Sequence, residues 1–422
     1  MRSSVKRIRL FPGHVALFTA LAVPALASEP PAPPPADSVE VLAPDQATPP
    51  PQPPKPLISY VEGRGVVFRT PDDLFEASLG FNLQVRYTHF DFDAASTSID
   101  TNEFRVRRFK LYMNGFAFDP RLTWRFQADF AAPSARIFDD GWLNRKFSDA
   151  ASVQFGQYKT PFSRQELYND GVLQFPERSL ATDAFKPSRD IGVMGAGSVG
   201  KGVFAYQAGV FGGSGQNTLR TDSHVMPVAR LLWNAIGTMG NSEMDLQDHQ
   251  TPALSVGVDG FLNTLHETTA TSFDALPLNY TGPAGWLGRN IGQFETGEQI
   301  DVKSWEFEAQ LKWRGLSMQG EYFQGRAEGD TSGARVYAYG WYAQAGYFIL
   351  PKKLDIAARY SFVDYNRSLS NDGVSVINTA ATWYFRANNL KLVIDYSRTH
   401  RQRASLAPAN DQAILVQVQL MP

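Results

Sequence analysis

Arginine and lysine side chains recur in the early part of the sequence, where polar and apolar residues alternate. They lie on the polar side of that alternation or next to it, and they are Arg86, Arg105, Arg107, Arg108, Lys110 and Arg125. A row of such cations along a narrow water-filled passage lowers the barrier for an anion and offers several weak binding sites in series. The alternative is that carboxylates such as Asp129, Glu103 or Glu306 pair with these cations and neutralise the row.

Residue patterns for catalysis or cofactor binding are nearly absent from the sequence. The glycine-rich stretch 195–201 resembles a phosphate-binding loop, but Gly202 replaces the Ser or Thr that would hold Mg²⁺. The six histidines are isolated and show no zinc-binding spacing. The carboxylate pair Glu306 and Glu308 is better explained as charge on a polar surface than as an acid–base pair. We therefore predict that the protein is not an enzyme and has no cofactor or metal.

Strands with strict two-residue alternation are the elements that would position the cations. Between Ser304 and Arg314, apolar residues including Trp305 and Trp313 share one face, and charged or amide side chains share the other. A slip of one residue would move four charges onto the apolar face, so the pairing register of this strand is well specified.

Segments of this kind recur along the rest of the chain. Sixteen can be counted, at residues 75–88, 104–118, 121–131, 135–147, 151–159, 190–199, 201–211, 225–235, 252–265, 300–314, 315–326, 335–349, 353–365, 373–386, 389–401 and 411–420. Most are longer than the usual strand of a soluble protein and long enough for a tilted strand that spans a membrane.

Short and long connections alternate between these segments, as turns and loops do in outer-membrane barrels. The sequence therefore predicts an all-β fold, a 16-stranded antiparallel transmembrane β-barrel over residues 75–422. A soluble β-sandwich would need neither the strand length nor the alternation of connections. The stretch 236–251 is too long for its short position, so either that turn is elaborated or the count is wrong by a hairpin.

The sequence before the barrel divides into three parts. Residues 1–27 combine a basic start, an apolar stretch and an Ala-x-Ala pattern, which is typical of a secretory signal peptide. Residues 28–57 are rich in proline and predict an extended periplasmic linker that could contact peptidoglycan. Residues 58–74 form a lead-in to the barrel.

Overall composition excludes several other classes of protein. The 40 basic and 42 acidic residues give a net charge of −2, which argues against general nucleic-acid binding. The absence of cysteine excludes a disulfide scaffold, a thiolate zinc site and a cysteine nucleophile.

Three short motifs carry a resemblance to a known family. They are G-Q-Y-K-T-P-F-S at 156–163, E-R-S at 177–179 and R-D-I-G-V at 189–193, preceded by the arginine-rich segment 104–130. In combination they resemble the phosphate-selective porins O and P. The resemblance implies a trimeric, sixteen-stranded barrel in the outer membrane, with outer-membrane lipid around it. It also implies that the third extracellular loop folds inward as a constriction.

The resemblance also implies roles for individual residues. Arg178 matches the family's loop arginine, and Arg107 and Arg108 match its paired arginines. Glu166 takes the position of the loop lysine of phosphate-specific members, and Asp170 is a second acidic residue of this constriction loop. The candidate anion-binding residues are Arg86, Arg107, Arg108, Lys110, Arg125, Lys159, Arg164, Arg178 and Arg189. Residues 159–190 carry five basic and five acidic side chains, and a neutral constriction would not select anions strongly.

These observations predict an outer-membrane porin that passes small solutes, with phosphate or related anions as the leading substrates. A general or weakly cation-selective porin is the first alternative. The second is a structural barrel tethered to the cell wall by the Pro-rich segment.

Overall fold

The computed structural model describes residues 57–422 except 97, 133–136, 221, 267–284, 296 and 404–406. The predicted signal peptide and all but the last residue of the predicted linker lie outside these residues. Among the described residues, no helix is long and apolar enough to span a membrane.

The described residues form eighteen strands, numbered in chain order. Two short strands, β1 (Ile58–Val61) and β2 (Gly65–Arg69), precede the barrel. The barrel strands are β3 (Phe75–Asp91), β4 (Thr101–Ala117), β5 (Asp119–Asp129), β6 (Phe138–Ser148), β7 (Ala151–Lys159), β8 (Arg189–Val199), β9 (Phe204–Phe211), β10 (Met226–Ile236), β11 (Ala253–His266), β12 (Gln299–Trp313), β13 (Leu316–Gly329), β14 (Arg335–Leu350), β15 (Leu354–Asp364), β16 (Val374–Arg386), β17 (Leu390–Arg401) and β18 (Ala409–Leu420).

Sixteen antiparallel strands close into a barrel because each strand from β3 to β18 pairs with the next, and β18 pairs with β3. The predicted count and fold class are confirmed, and strand bounds agree with the predicted segments to within a few residues. Closure leaves no open sheet edge around the barrel, so the backbone groups of the wall are paired within the protein.

Side chains alternate across the barrel wall as the sequence predicts. In β12, Trp305 and Phe307 are 43% and 50% exposed on the outer surface, whereas Glu306 and Glu308 are fully buried on the luminal side. The apolar face therefore meets lipid and the charged face meets the interior, which is the arrangement of a transmembrane barrel.

The β1–β2 hairpin was not predicted, because the sequence indicated only an irregular lead-in at residues 58–74. It pairs with the start of β3, and Val66 lies opposite Leu79. The other partner of β3 on this side is β18, which pairs from Leu83 to Asp91. The turn between β1 and β2 also binds the chain end, where the Gly63 N–H donates to the Pro422 carbonyl at 3.2 Å. The strands of this hairpin have only four and five residues, too few for alternation to reveal them.

The connection after β10 is the elaborated turn that the sequence left undecided. Residues 237–252 fold back into the periplasmic end of the barrel, where Lys312 Nζ donates to the carbonyls of Met239 (2.6 Å) and Ser242. Asp245 accepts from the Gly315 N–H at 2.9 Å. The strand count is therefore correct, and this turn fills part of the lumen.

Candidate functional site

The long connection between β7 and β8, residues 160–188, lies inside the barrel, and most of its side chains are buried. We call it the constriction loop. It contains two short helices, α1 (Arg164–Leu167) and α2 (Leu180–Phe185), and a 3₁₀ turn at Asp170–Val172. Ser163 and Ser179 cap the two helices by accepting from backbone N–H groups. These caps satisfy donors that would otherwise be unpaired away from water.

An aromatic cluster anchors the two ends of the constriction loop to the barrel wall. Phe162 packs against Phe261 with ring centroids 5.1 Å apart, and Phe185 stacks on Phe323 at 5.5 Å. Trp286, from a 3₁₀ helix at Gly285–Arg289, covers Phe185 at 6.0 Å. Aromatic contacts of this kind add about 0.5–1.5 kcal/mol each beyond area burial. The loop is therefore held by apolar packing on the β11–β13 side.

Arg178 holds the middle of the constriction loop together. Its guanidinium donates to the carbonyls of Gln165 (3.1 Å) and Tyr168 (2.9 Å) and to Asp170 Oδ1 (2.7 Å). It also forms an ion pair with Glu166 Oε2 at 2.8 Å. The side chain is only 7% exposed. In this structure Arg178 is a structural clamp within the loop.

Glu166 is the departure from the family pattern, and two cations compensate the charge of its carboxylate. Its carboxylate contacts Arg178 at 2.8 Å and Lys186 at 3.2 Å. Burial alone would raise the pKa of Glu166, but the charges of Arg178 and Lys186 lower this pKa to about 2. Glu166 therefore stays ionised and paired at neutral pH.

Glu177 binds three arginines at once. Its oxygens accept from Arg86 Nη1 and Arg107 Nε at 2.6 Å each and from Arg108 Nη2 at 2.9 Å. Burial opposes ionisation, yet the surrounding arginines, Arg108 foremost, hold the pKa of Glu177 well below its usual range. Arg108 also pairs with Asp170 at 3.3 Å, so two carboxylates face three guanidinium groups and the cluster retains an excess of positive charge.

A β-bulge brings two consecutive arginines into the same cluster. Gln84 of β3 lies opposite Arg108, but the next residue, Val85, lies opposite Val106, so Arg107 is the extra residue. Adjacent residues of a regular strand point to opposite faces, and a bulge relaxes that rule. Arg107 and Arg108 can therefore both contact Glu177.

A second group of cations surrounds a cavity of about 330 Å³ beside the constriction loop, on the β4–β9 side of the lumen. Its charged lining residues are Lys110, Arg125, Asp140, Lys159, Asp170 and Arg189. Four cations thus face two carboxylates in the lining, and a third carboxylate, Asp139, pairs with Lys110 at 3.2 Å and with Arg189 at 3.5 Å. The cations are themselves bonded: Arg189 Nε donates to Asp140 at 2.7 Å, and Lys110 Nζ donates to Asp170 at 2.5 Å.

Lys159 and Arg125 are the least neutralised cations of this cavity. Lys159 Nζ donates to the carbonyls of Glu166 (2.5 Å) and Tyr168 (2.8 Å). Arg125 lies 3.3 Å from Asp140, is 21% exposed, and is 5.2 Å from the Tyr112 ring centroid. Lys159 is thus held by neutral carbonyl oxygens, whereas Arg125 keeps part of its side chain exposed to the cavity.

Arg164 is the one candidate that the structure separates from the rest. It points to the wall formed by β11 and β12, where its Nη2 donates to Glu308 and Ser255 at 2.9 Å each. The eight other candidates lie in the Glu177 cluster, in the Arg178 clamp or around the cavity.

Of the three carboxylates that the sequence analysis named as partners, two lie beside a cation, but the main partners were not among them. Asp129 lies 4.0 Å from Lys110, and Glu103 pairs with Arg105 at 3.3 Å. Glu306 has no described cation partner. The main partner in the arginine cluster is Glu177, and its place beside Arg178 in the quoted motif was the only available signal.

Comparison with protein families decides the identity. The model of the family described as phosphate-selective porin O and P matches residues 78–421. The chain belongs to this family. No curated protein matches the chain at a significant level. This porin forms a water-filled channel for small solutes in the outer membrane.

Solved structures of other outer-membrane proteins share the barrel fold with this porin. The anion-selective porin from Comamonas acidovorans superposes with a TM-score of 0.56 at 9% identity, covering 82% of this chain and 99% of that one. The outer-membrane channel DcaP of Acinetobacter baumannii gives a TM-score of 0.54 at 12% identity, covering 84% and 99%. At these identities the likeness concerns the fold.

Acid should weaken the contacts within the constriction loop. Because its cationic partners lower the pKa of Glu166 to about 2, its ionisation stabilises the folded state fully above its ordinary pKa of 4.5. That stabilisation falls as the pH drops from there toward 2. We expect the thermal midpoint, followed by tryptophan fluorescence, to decrease over this range. Glu166→Gln should show a smaller decrease, and an identical pH profile in this variant would contradict the assignment.

Proposed function

We propose that this porin conducts small anions of the phosphate class by weakly selective diffusion through the cavity beside the constriction loop. The observation that carries the proposal is the cavity lining, where four cations face two carboxylates. A lining with excess positive charge raises the local concentration of anions. Channel function leaves no role for catalysis or a cofactor, and we propose that the porin is not an enzyme.

Weak selectivity is expected because most of these cations already have carboxylate partners. A passing phosphate has to compete with Asp170 for Lys110 and with Asp140 for Arg189. A site that binds weakly releases its ion readily, which conduction requires. Glu166 is engaged by Arg178 and Lys186, so its negative charge is largely compensated.

Arg86, Arg107 and Arg108 supply a second anion-attracting step. Of these, Arg107 has 32% of its side chain exposed, and the shared Glu177 has 33%. We propose that this cluster draws anions toward the constriction and that the cavity cations then pass them on.

Planar-bilayer recording tests the proposal. In a KCl gradient, we expect the reversal potential to report a preference for chloride over potassium, and phosphate added in millimolar amounts should reduce the chloride current. Cation preference, or no preference and no block, would instead support a general porin. Absence of any channel would support the tethered structural barrel.

The remaining assignments are also proposals. We propose a homotrimer, secretion by the signal peptide 1–27, and a periplasmic linker at 28–57 that contacts peptidoglycan. Light scattering of the detergent-solubilised protein measures the oligomer. Sedimentation with purified peptidoglycan, with a variant lacking 28–57 as the control, tests the contact.

A further inference from the structure

The luminal wall formed by β11, β12 and β13 carries a buried group of carboxylates. Asp259 of β11 lies directly across from Glu306 of β12, and Glu308 lies across from Glu321 of β13. One oxygen from each of Asp259, Glu306 and Glu308 lies within 4.8 Å of the others. All four side chains are at most 4% exposed. Like charges directly opposite each other destabilise a sheet, so this arrangement requires compensation.

Two arginines compensate part of this charge. Glu308 Oε1 accepts from Arg164 Nη2 at 2.9 Å and from Arg230 Nη2 at 2.5 Å. Asp259 Oδ2 lies 3.4 Å from Arg230 Nε and accepts from the Ser163 N–H at 3.3 Å. These contacts tie the start of the constriction loop to the carboxylates.

Glu321 is satisfied separately by neutral donors. It accepts from Ser163 Oγ at 2.5 Å, from the Gln165 N–H at 2.7 Å and from the Tyr342 hydroxyl at 2.8 Å. These donors occupy both oxygens of Glu321, which therefore contributes no free oxygen to the group.

Glu306 is the unsatisfied member. The side chain is 0% exposed, and among the described residues neither of its oxygens has a hydrogen-bond partner. The same holds for Asp259 Oδ1 and Glu308 Oε2. Four carboxylate oxygens of these three buried side chains thus receive no hydrogen bond from a described donor, and a buried charge is costly unless it takes up a proton, is paired or coordinates a metal.

The charge balance specifies the missing partner. With all four carboxylates ionised, the two guanidinium groups leave two negative charges, the amount that one divalent cation neutralises. Carboxylate oxygens are the ligands of hard cations, and Ca²⁺ accepts the irregular geometry that the small, strictly octahedral Mg²⁺ does not.

We propose that Asp259, Glu306 and Glu308 bind one Ca²⁺ and that this ion fastens the constriction loop to the barrel wall. The fastening follows because Ser163 and Arg164 of the loop bind the same carboxylates. The proposal is independent of which solute the channel conducts.

Equilibrium dialysis with radioactive Ca²⁺ tests the site on full-length protein refolded in detergent. Refolding excludes lipopolysaccharide, whose phosphates also bind divalent cations. We expect one Ca²⁺ per chain and a rise of a few degrees in the thermal midpoint at about a hundredfold excess over Kd. Glu306→Gln should lose both effects. Asp355→Asn, which changes an equally buried luminal carboxylate on β15, should retain them.

Two results would overturn the proposal. One is wild-type protein that binds no Ca²⁺ at about 1 mM, the weak end of known protein sites. The other is a Glu306→Gln variant that binds Ca²⁺ as the wild type does. Carboxylates that share protons in place of a metal would give the first of these results, and Ca²⁺ would then leave the thermal midpoint of the wild type unchanged. Should Glu306→Gln fail to fold, the wild-type dialysis alone decides.

Discussion

Replacing Arg178 with glutamine is expected to loosen the middle of the constriction loop and to raise single-channel conductance. The substitution removes the bonds to the carbonyls of Gln165 and Tyr168 and leaves Glu166 and Asp170 without their shared guanidinium. Breaking a buried ion pair by removing one partner costs about 3–5 kcal/mol. The barrel itself pairs around its full circumference without the loop, so the cost falls on the loop. Bilayer recording in KCl should show larger and noisier current steps.

The matched control for this variant is Lys353→Gln, which removes one positive charge from an exposed periplasmic turn. Its conductance should equal that of the wild type. If Arg178→Gln also kept the wild-type conductance and thermal midpoint, Arg178 would not be the clamp of the loop. A change in ion selectivity at unchanged conductance would instead make Arg178 a direct anion contact, as the family resemblance implies.

Replacing Arg125 with glutamate is expected to reverse the ion preference of the channel. Arg125 lines the cavity, is partly exposed, and lies 3.3 Å from Asp140. The change removes one cation from the lining and adds one carboxylate, which abolishes the positive excess. Electrostatic focusing in clefts changes local ion concentration by tenfold or more, so we expect the chloride-to-potassium permeability ratio to fall by about tenfold. The reversal potential in a KCl gradient measures this ratio.

Arg145→Glu supplies the same change of charge on the neighbouring strand β6. Arg145 is paired with Asp119 at 2.8 Å near the periplasmic turn, and it does not line the cavity. The reversal potential of the Arg145→Glu variant should stay near the wild-type value. Equal shifts in the two variants would show that overall charge, rather than the cavity lining, sets the selectivity.

The barrel could be predicted from the sequence because its physical cause is local. Each strand alternates between lipid and lumen, so a segment such as 304–314 shows its two faces without knowledge of its neighbours. The hairpin at 58–69 has strands too short to show this alternation. The bulge at Arg107 also escaped prediction, because one extra residue is visible only against the partner strand.

The partners of the candidate site could not be predicted, because they meet only after closure. Glu177 reaches Arg86 across 91 residues of sequence, and Arg164 reaches Glu308 across 144. The spacing of residues along the sequence does not reveal such contacts. The alternation of polar and apolar residues did place the cations on the luminal face, and the family resemblance identified the loop that approaches them.

The shared edge of β3 has a consequence for the order in which the molecule is assembled. The seam of the barrel joins Leu83 to Leu420, the most distant pairing along the chain, and closing so long a loop carries the largest entropic penalty. Before β18 pairs with β3, this edge of β3 is unpaired, and other chains could add a strand to it. The β1–β2 hairpin covers its first residues, Glu76–Leu79, through contacts close in sequence. The hairpin therefore shortens the unpaired edge of β3 on which other chains could add. Its turn also contacts the residues that follow β18 through the Gly63–Pro422 hydrogen bond.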